Sequence, residues 1–340
     1  MSLDSAAEPI LSVRDLRVSF ATRQGVIQAV DGLSFDVGAQ EVLGIVGESG
    51  SGKSVAMYSL LGLVRDANVK IEGSVRFQGR EILGLSDQAM QSVRGGEVGM
   101  IFQDPMTALT PVYTVGWQIV EQLRAHTELT KRQAHERAIE LLGEVGIPNP
   151  RSRVNQYPHE FSGGMRQRVV IAMALSCNPK LLIADEPTTA LDVTTQAQIL
   201  ELMGRLQATY GSSIVIITHD MGVIAEIAHR VVVMYAGRPA EIGPEIDVVR
   251  SPRHPYTWGL LGAVPRADVK NRRLVTIPGN AVSPLDVPTG CAFAPRCQYR
   301  MDICVERPPL RGEGGHLDAC WLSDEQRVAI RSLTPLQGER

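Results

Sequence analysis

Short apolar runs alternate with stretches of helical periodicity along the first two-thirds of the chain, a pattern typical of an α/β protein. Residues 41–46 form an apolar run that ends at a glycine-rich loop, and residues 55–64 continue as an apolar-rich helix. Residues 181–184 and 214–217 are continuous apolar runs, which suit strands buried on both faces of a sheet. The pattern therefore predicts an α/β fold built on a buried sheet.

The later two of these predicted strands are each followed by a polar pair, Asp185-Glu186 and His219-Asp220. Ligands of open α/β sheets bind at the carboxyl ends of the strands. We therefore expect both pairs and the glycine-rich loop to converge on one site.

Residues 131–146 have apolar side chains at helical spacing and stop at a glycine, which predicts a helix. Its apolar stripe is more typical of a packed core than of a partner surface: Ala134, Ala138, Leu141, Leu142 and Val145. Beyond about residue 240, prolines recur often enough to interrupt any long regular element, which predicts an appended, loop-rich segment.

Composition narrows the class of protein. At 340 residues the chain is long enough for one large domain and a smaller one. Its 34 basic and 37 acidic residues nearly cancel, so no broad positive field favours nucleic acid. The first residues are polar and mixed, unlike the basic start and apolar stretch of a secretory signal, and no apolar run approaches the length of a membrane span. We expect a cytosolic chain that reaches a membrane only through partners.

The glycine-rich loop at residues 47–54 gives the clearest indication of function. Its glycines let backbone N–H groups approach phosphate oxygens, and the following helix presents its positive end to the anion. We expect Lys53 to bind the β- and γ-phosphates of a nucleoside triphosphate and Ser54 to place its hydroxyl on Mg²⁺. The alternative is a chance glycine-rich turn, which the flanking strand and helix disfavour. The predicted phosphate-binding residues are Gly47, Glu48, Ser49, Gly50, Ser51, Gly52, Lys53 and Ser54.

A second glycine motif, Ser162-Gly163-Gly164, precedes the strand that ends at Asp185. It resembles the signature motif of ABC transporter ATPases, usually Leu-Ser-Gly-Gly-Gln, with Phe161 and Met165 as departures. Over residues 10 to about 240 the chain resembles the nucleotide-binding subunits of that family. The resemblance implies that Ser162, Gly163 and Gly164 face the nucleotide of the opposite subunit. A glycine turn that caps a helix from Met165 onward is compatible with this role.

The resemblance also assigns roles around the predicted strand ends. Residues 181–186 are similar to the Walker B strand, in which Asp185 binds the Mg²⁺ shell and Glu186 polarises the attacking water. Gln103 resembles the glutamine that contacts the metal or water, and His219 resembles the switch histidine that contacts the γ-phosphate. Asp192 matches the loop that crosses the dimer interface, and Phe20 is the candidate for stacking on adenine.

Two further segments, 103–111 and 254–257, resemble ATPase subunits of oligopeptide and dipeptide importers, a group that includes nickel and glutathione systems. This implies a subunit at the cytoplasmic face of the membrane that uses ATP to power peptide import. The implied partners are a second ABC ATPase subunit, two permeases and an extracytoplasmic peptide-binding protein, with no nucleic acid. A nickel or glutathione importer and a soluble ABC-type ATPase are the alternatives.

The predicted fold is thus an ABC-type P-loop ATPase domain with a helical subdomain and a small loop-rich C-terminal domain. Its predicted divisions are a flexible N-terminus at 1–9, the ATPase domain at 10–250 with the helical subdomain at about 105–165, and the C-terminal extension at 251–340.

Four of the five cysteines lie in the proline-rich tail: Cys291, Cys297, Cys304 and Cys320. In a cytosolic protein, clustered thiols indicate a metal more than disulfides, and their spacing leaves the metal open. Residues 290–297 resemble the tail of peptide-importer ATPases, some of which hold a 4Fe-4S cluster. The cluster is the prediction, with Zn²⁺ or free thiols as alternatives. We expect Cys177 to be a small core residue.

Overall fold

A computed structural model describes residues 8–189, 191–263 and 277–333. They form two compact units that interleave along the chain. The first contains Asp36–Val42, Arg76–Ile217 and the described residues up to Leu11, and the second contains Ser12–Phe35, Leu43–Val75 and the described residues from Thr218 onward. Of the N-terminus predicted to be flexible, residues 1–7 lie outside the described residues.

The strands, in chain order, are β1 (Leu11–Thr22), β2 (Gly25–Val37), β3 (Val42–Val46), β4 (Val69–Phe77), β5 (Arg80–Glu81), β6 (Val98–Ile101), β7 (Leu181–Asp185), β8 (Ser213–Thr218), β9 (Arg230–Tyr235), β10 (Arg238–Pro244), β11 (Arg311–Glu313) and β12 (His316–Asp318).

The α-helices, in chain order, are α1 (Lys53–Leu60), α2 (Asp87–Val93), α3 (Pro105–Ala108), α4 (Val115–His126), α5 (Lys131–Glu144), α6 (Pro150–Arg153), α7 (Gly163–Leu175), α8 (Val193–Tyr210), α9 (Met221–Ile227), α10 (Glu245–Arg250), α11 (Pro255–Gly262) and α12 (Asp324–Leu333). Short 3₁₀ turns occur at Pro158–Glu160 and Asp302–Val305.

The first unit is built on the parallel strands β6, β7 and β8, in that order. Every residue of β7 and β8 is buried, as the two apolar runs predict for strands covered on both faces. Helix α7 packs against β6 and α8. The predicted strands at 181–184 and 214–217 are confirmed, and their carboxyl ends lie side by side in the register Asp185 to Ile217.

The predicted helix at 131–146 is α5, which packs on α4 and α7. It begins at a capping box, in which Thr130 and Gln133 each bond the backbone N–H of the other. The helix ends two residues before Gly146, whose φ of 77° is left-handed and therefore cannot continue it. The apolar stripe predicted for this helix is buried, so the core interpretation is confirmed.

In the second unit, β2, β1 and β4 lie side by side in that order. A separate set of strands runs in the order β3, β9, β10, β12 and β11. Strand β3 is parallel to β9, and the remaining neighbours pair antiparallel. Strand β3 is fully buried and ends at the glycine-rich loop, as predicted.

Helix α1 begins two residues earlier than the predicted segment 55–64 and ends at Leu60. The early start follows from Gly52, whose left-handed φ of 96° lets the loop turn directly into a helix at Lys53. The early end precedes Gly62, which has a φ of 58°.

The tail is rich in loops, as the prolines predict. Residues 277–301 contain turns and bends without a helix or strand. The tail also contributes to a sheet, because β12 pairs with β10, with Asp318 opposite Glu241 and Leu317 opposite Ile242. The domain boundary predicted at residue 250 stays a prediction.

One buried carboxylate fastens this tail to the rest of the second unit. Asp31 on β2 is 7% exposed and lies 2.5 Å from Arg17, 2.9 Å from Arg238 and 2.8 Å from Arg307. Arg238 also donates to the carbonyl of Gly290 at 2.9 Å, directly before the first tail cysteine. Asp31 thereby joins β1, β2 and β10 to the cysteine-bearing segment.

We predict that Asp31→Asn lowers the free energy of unfolding by about 3 kcal/mol, because it removes the charge that compensates several arginines in a buried setting. Chemical denaturation followed by circular dichroism measures this loss. Asp15→Asn is the matched control, since Asp15 pairs with the same Arg17 but its side chain is 66% exposed. Equal effects of the two substitutions would contradict the role assigned to Asp31.

Candidate functional site

The glycine-rich loop packs so closely on neighbouring backbone that two of its positions admit only glycine. A Cβ on Gly47 would lie 2.2 Å from the carbonyl oxygen of Met234, and one on Gly52 would lie 2.2 Å from that of Ala29. Gly52 also has a left-handed φ of 96°. This packing fixes the path of the loop from β3 into α1.

The side chain of Lys53 lies within this loop and is held by its carbonyl groups. It is 5% exposed, and its Nζ donates to the carbonyls of Gly47 at 2.7 Å and Glu48 at 2.9 Å. A further contact joins Nζ to the Ser51 hydroxyl at 3.4 Å. The ammonium group is thus positioned inside the loop, where it can bind the phosphate oxygens that the loop amides also attract. Ser54 follows it in the first turn of α1.

In the first unit, Asp185 is the last residue of β7 and is fully buried. Glu186 follows with a φ of 47°, a left-handed conformation that is unfavourable for a non-glycine residue. Its N–H donates to the carbonyl of Ile217 at 2.9 Å, which holds this conformation in place. Strain of this kind concentrates at functional sites, where it directs a side chain.

The carboxylate of Glu186 is oriented by two neighbours. Its Oε2 accepts a hydrogen bond from Gln103 Nε2 at 3.1 Å and from the Thr189 hydroxyl at 2.8 Å. The structure thereby brings together two residues that the sequence predicts from separate motifs, Gln103 and Glu186. Sequence reasoning missed Thr189, although its position three residues after Glu186 in a turn suits such a contact.

The predicted signature residues lie at the start of α7. Ser162 caps this helix, and its Oγ accepts from the N–H of Met165 at 3.4 Å. The helix starts at Gly163, two residues before the expected Met165. Ser162 and Gly163 are exposed, so the positive end of a 13-residue helix faces outward. A Cβ on Gly164 would lie 2.8 Å from the Thr195 methyl group, which keeps this position small.

Asp192 caps α8, and its carboxylate accepts from the N–H of Thr195 at 3.0 Å and from the hydroxyl at 2.6 Å. These hydrogen bonds lower the pKa of Asp192. Ala190, in the same predicted loop, lies outside the described residues.

Phe20 is half-buried near the end of β1, and His219 is exposed directly after β8. The glycine-rich loop at residues 47–54, called the phosphate loop below, belongs to the second unit together with His219. Asp185, Glu186 and Gln103 belong to the first unit. The convergence of these residues on one nucleotide, including the adenine contact of Phe20, stays a prediction.

All four tail cysteines are half-buried. Burial raises the pKa of Cys297 to about 12, and the thiols of Cys320, Cys291 and Cys304 contribute in the same direction. Burial likewise raises the pKa of Cys320 to about 11. In the described ranges, no three His, Cys, Asp or Glu side chains are arranged to hold a metal ion, so the predicted metal site gains no support.

Cys177 is half-buried rather than part of the closed core. Its thiol lies 3.8 Å from the carbonyl of Gln122. Among the residues that the structure describes, no helix combines the length and apolar character needed to cross a bilayer.

Two family models match the chain. One, described as ABC transporter, matches residues 30–189 and so includes both glycine motifs. The other, described as the C-terminal region of oligopeptide/dipeptide transporters, matches residues 240–304. The chain belongs to the ABC transporter family. Membership confirms that it is an ATPase subunit that works with ATP and Mg²⁺, as its motifs predict.

Curated relatives support the same assignment over nearly the whole chain. The oligopeptide transport ATP-binding protein OppD of Salmonella typhimurium is 51% identical over 321 residues, which cover 94% of this chain and 96% of the relative. The dipeptide transport ATP-binding protein DppD of Bacillus subtilis is 50% identical over 323 residues, with coverage of 94% and 96%. The predicted resemblance to the ATPase subunits of oligopeptide and dipeptide importers is confirmed.

A solved structure supports the fold. The dimeric post-hydrolysis structure of the ATP-binding cassette MJ0796, bound to ADP and Pi, matches with a TM-score of 0.62 and 26% identity. The match covers 69% of this chain and 98% of that chain. The predicted ABC ATPase fold is therefore confirmed.

We predict that Thr189→Val lowers the turnover number for ATP about tenfold and leaves ATP affinity unchanged, because it removes a hydrogen bond that orients the Glu186 carboxylate. Steady-state hydrolysis and equilibrium nucleotide binding measure the two effects. Thr189→Ser keeps the hydroxyl and should retain near-normal turnover. Equal loss in both variants would contradict the orienting role.

Proposed function

We propose that this chain is the ATP-hydrolysing subunit that powers import of oligopeptides or dipeptides. The similarity to OppD and DppD over 94% of the chain is the observation that carries the proposal. The match of residues 240–304 to the C-terminal region of such transporters adds support that the ATPase motifs alone do not give.

In this function, the loop amides and Lys53 bind the phosphates of ATP, and Ser54 and Asp185 hold Mg²⁺. Glu186 polarises the attacking water, with Gln103 and Thr189 fixing its carboxylate. His219 contacts the γ-phosphate from the end of β8, and Phe20 stacks on adenine. These roles follow from the family resemblance, and the contacts of Lys53 and of Glu186 within their own units support them.

The active form is a pair of ATPase subunits. Ser162 and Gly163 are exposed at the start of α7, where they can close over a nucleotide held by a second subunit. Asp192 then lies in the loop next to the partner. The dimeric state of the structurally similar cassette MJ0796 supports this arrangement.

Exposed apolar side chains near α3 and α4 form the surface that docks on a permease. Met106 is 59% exposed, Val112 70%, Tyr113 43% and Trp117 43%, and the last two rings stack at 3.9 Å. A surface of this kind normally marks an interaction site. The complete assembly also contains two permeases and an extracytoplasmic peptide-binding protein, and this chain lies at the cytoplasmic face of the membrane.

The transport proposal is tested by tagging the chain in the cell that produces it, isolating the complex in mild detergent and reconstituting it into vesicles. We expect two permeases and a second ATPase to copurify, and the vesicles to take up peptide when ATP is present. Glu186→Gln should retain ATP binding and assembly but abolish uptake, because the water-polarising carboxylate is lost.

Uptake of nickel or glutathione in place of peptides would contradict the substrate class. Recovery of the chain only with soluble partners would contradict the transport function altogether.

The four tail cysteines, we further propose, hold a 4Fe-4S cluster. The proposal is supported by the resemblance of residues 290–297 to the tail of peptide-importer ATPases and by the suitability of soft thiol donors for iron. When bound, such a cluster would cross-link a segment that lacks helix and strand over 277–301.

We predict that anaerobically purified protein contains about four iron atoms per chain and absorbs broadly in the visible range. Cys297→Ser should lose most of the iron, whereas Cys177→Ser, which changes a cysteine outside the tail, should keep it. Zinc in place of iron, or no metal at all, would overturn the cluster.

A further inference from the structure

Glu48, the second residue of the phosphate loop, is bound by two residues from the C-terminal region of the same unit. Its backbone N–H donates to the Tyr256 hydroxyl at 2.7 Å. Its carboxylate accepts two hydrogen bonds from Arg296, at 2.6 and 3.0 Å. A paired contact of this geometry is among the stronger polar interactions in proteins.

The other side of the same residue faces the loop. The carbonyl of Glu48 accepts from Lys53 Nζ at 2.9 Å and from the N–H of Ser51 at 3.2 Å. All polar groups of Glu48 are therefore engaged. The C-terminal region holds its N–H and side chain, and the phosphate-binding lysine holds its carbonyl.

Tyr256 is rigidly placed for this contact. It is fully buried at the start of α11, and its own N–H donates to His254 Nδ1 at 3.0 Å. Burial lowers the pKa of His254 to about 4, so the ring is neutral at physiological pH and Nδ1 can accept this bond. Burial also raises the pKa of Tyr256, which keeps its hydroxyl protonated.

Arg296 is equally constrained. It is 8% exposed, its Nε donates to the carbonyl of Pro278 at 2.9 Å, and its guanidinium lies 5.9 Å from the centre of the Tyr235 ring. Phe293 packs edge-on against Tyr235 at 5.2 Å and tilted against Tyr256 at 5.4 Å. The residues that reach Glu48 therefore belong to one packed aromatic cluster.

We propose that Tyr256 and Arg296, the Glu48 clamp, are positioning residues of the nucleotide site. They hold Glu48 so that the loop amides and Lys53 keep the geometry that binds phosphate, and the C-terminal region thereby sets the affinity for ATP. This inference rests on the proposed role of the loop in binding ATP.

The physical basis is the ion pair itself, in which the Arg296 side chain is buried and the Glu48 side chain is 30% exposed. Removing Arg296 leaves the Glu48 carboxylate without its partner, and a charge left in this way moves toward water. Because Glu48 lies within the loop, that movement displaces the carbonyl that holds Lys53. Arg238 and Arg307 attach the tail elsewhere, at Asp31, so the clamp adds a contact that attachment alone does not require.

The test compares Arg296→Met and Tyr256→Phe with the unchanged full-length chain, using equilibrium binding of MgATP and steady-state hydrolysis. We expect each variant to weaken ATP binding about tenfold, the size typical of coupled neighbours, with little change in turnover at saturating ATP. Glu48→Gln combined with Arg296→Met should bind ATP no more weakly than Arg296→Met alone, because the unpaired charge is gone.

Arg327→Met is the matched control. Arg327 is also 8% exposed and pairs with a buried carboxylate, Asp318 at 2.5 Å, within the same C-terminal region. It should lower the thermal midpoint yet leave ATP affinity unchanged. If Arg327→Met weakens ATP binding as much as Arg296→Met does, the effect reflects loss of stability and the clamp is overturned.

Lys53→Ala distinguishes failure of the nucleotide-site assignment from failure of the Glu48 clamp. If it leaves ATP binding intact, the assignment of the nucleotide site fails. If it abolishes ATP binding while Arg296→Met and Tyr256→Phe bind ATP normally, the nucleotide site stands and the clamp fails.

Discussion

The close approach of the glycine-rich loop to neighbouring backbone is the constraint on which the candidate nucleotide site depends. A Cβ on Gly47 or on Gly52 would lie only 2.2 Å from the carbonyl oxygen of Met234 or of Ala29, respectively, so no side chain fits at either position. The loop is therefore fixed between β3 and α1, and α1 starts at Lys53 itself. This path gives the lysine its place among the loop carbonyls and leaves Glu48 turned toward the C-terminal region.

In this chain, the groups suited to bind a negatively charged ligand and the carboxylate suited to polarise water are positioned in different ways. The phosphate loop offers backbone amides and a buried ammonium group, which suit a ligand rich in negative charge. Glu186 instead sits in a left-handed conformation just after a buried strand, and Gln103 and Thr189 direct its carboxylate. In the proposed function, the first arrangement serves nucleotide binding and the second serves hydrolysis. Coupling of hydrolysis to transport in that function requires that the exposed start of α7 meet a second subunit and that the surface near α3 and α4 dock on a permease.

Short sequence patterns predicted the structural features that depend only on residues close together in the chain. The buried strands at 181–184 and 214–217 are continuous apolar runs, and the loop before Lys53 has a recognisable glycine spacing, so sequence was sufficient for both. The helices that start at Lys53 and Gly163 each begin two residues before the predicted positions, because a left-handed glycine and a serine cap decide them. The contacts of Tyr256 and Arg296 with Glu48 span more than two hundred residues, and no local pattern reports such a pairing. Thr189 was missed because a single threonine in a turn carries little signal.

Hydrogen exchange at the backbone amides of residues 49–54, measured with and without MgATP, tests most directly whether this loop binds the nucleotide. The account predicts marked protection of these amides on addition of MgATP, because they become donors to phosphate oxygens. It also predicts that AMP, which lacks the β- and γ-phosphates, protects them far less. Protection that appears elsewhere in the described chain and leaves residues 49–54 unchanged would contradict the account.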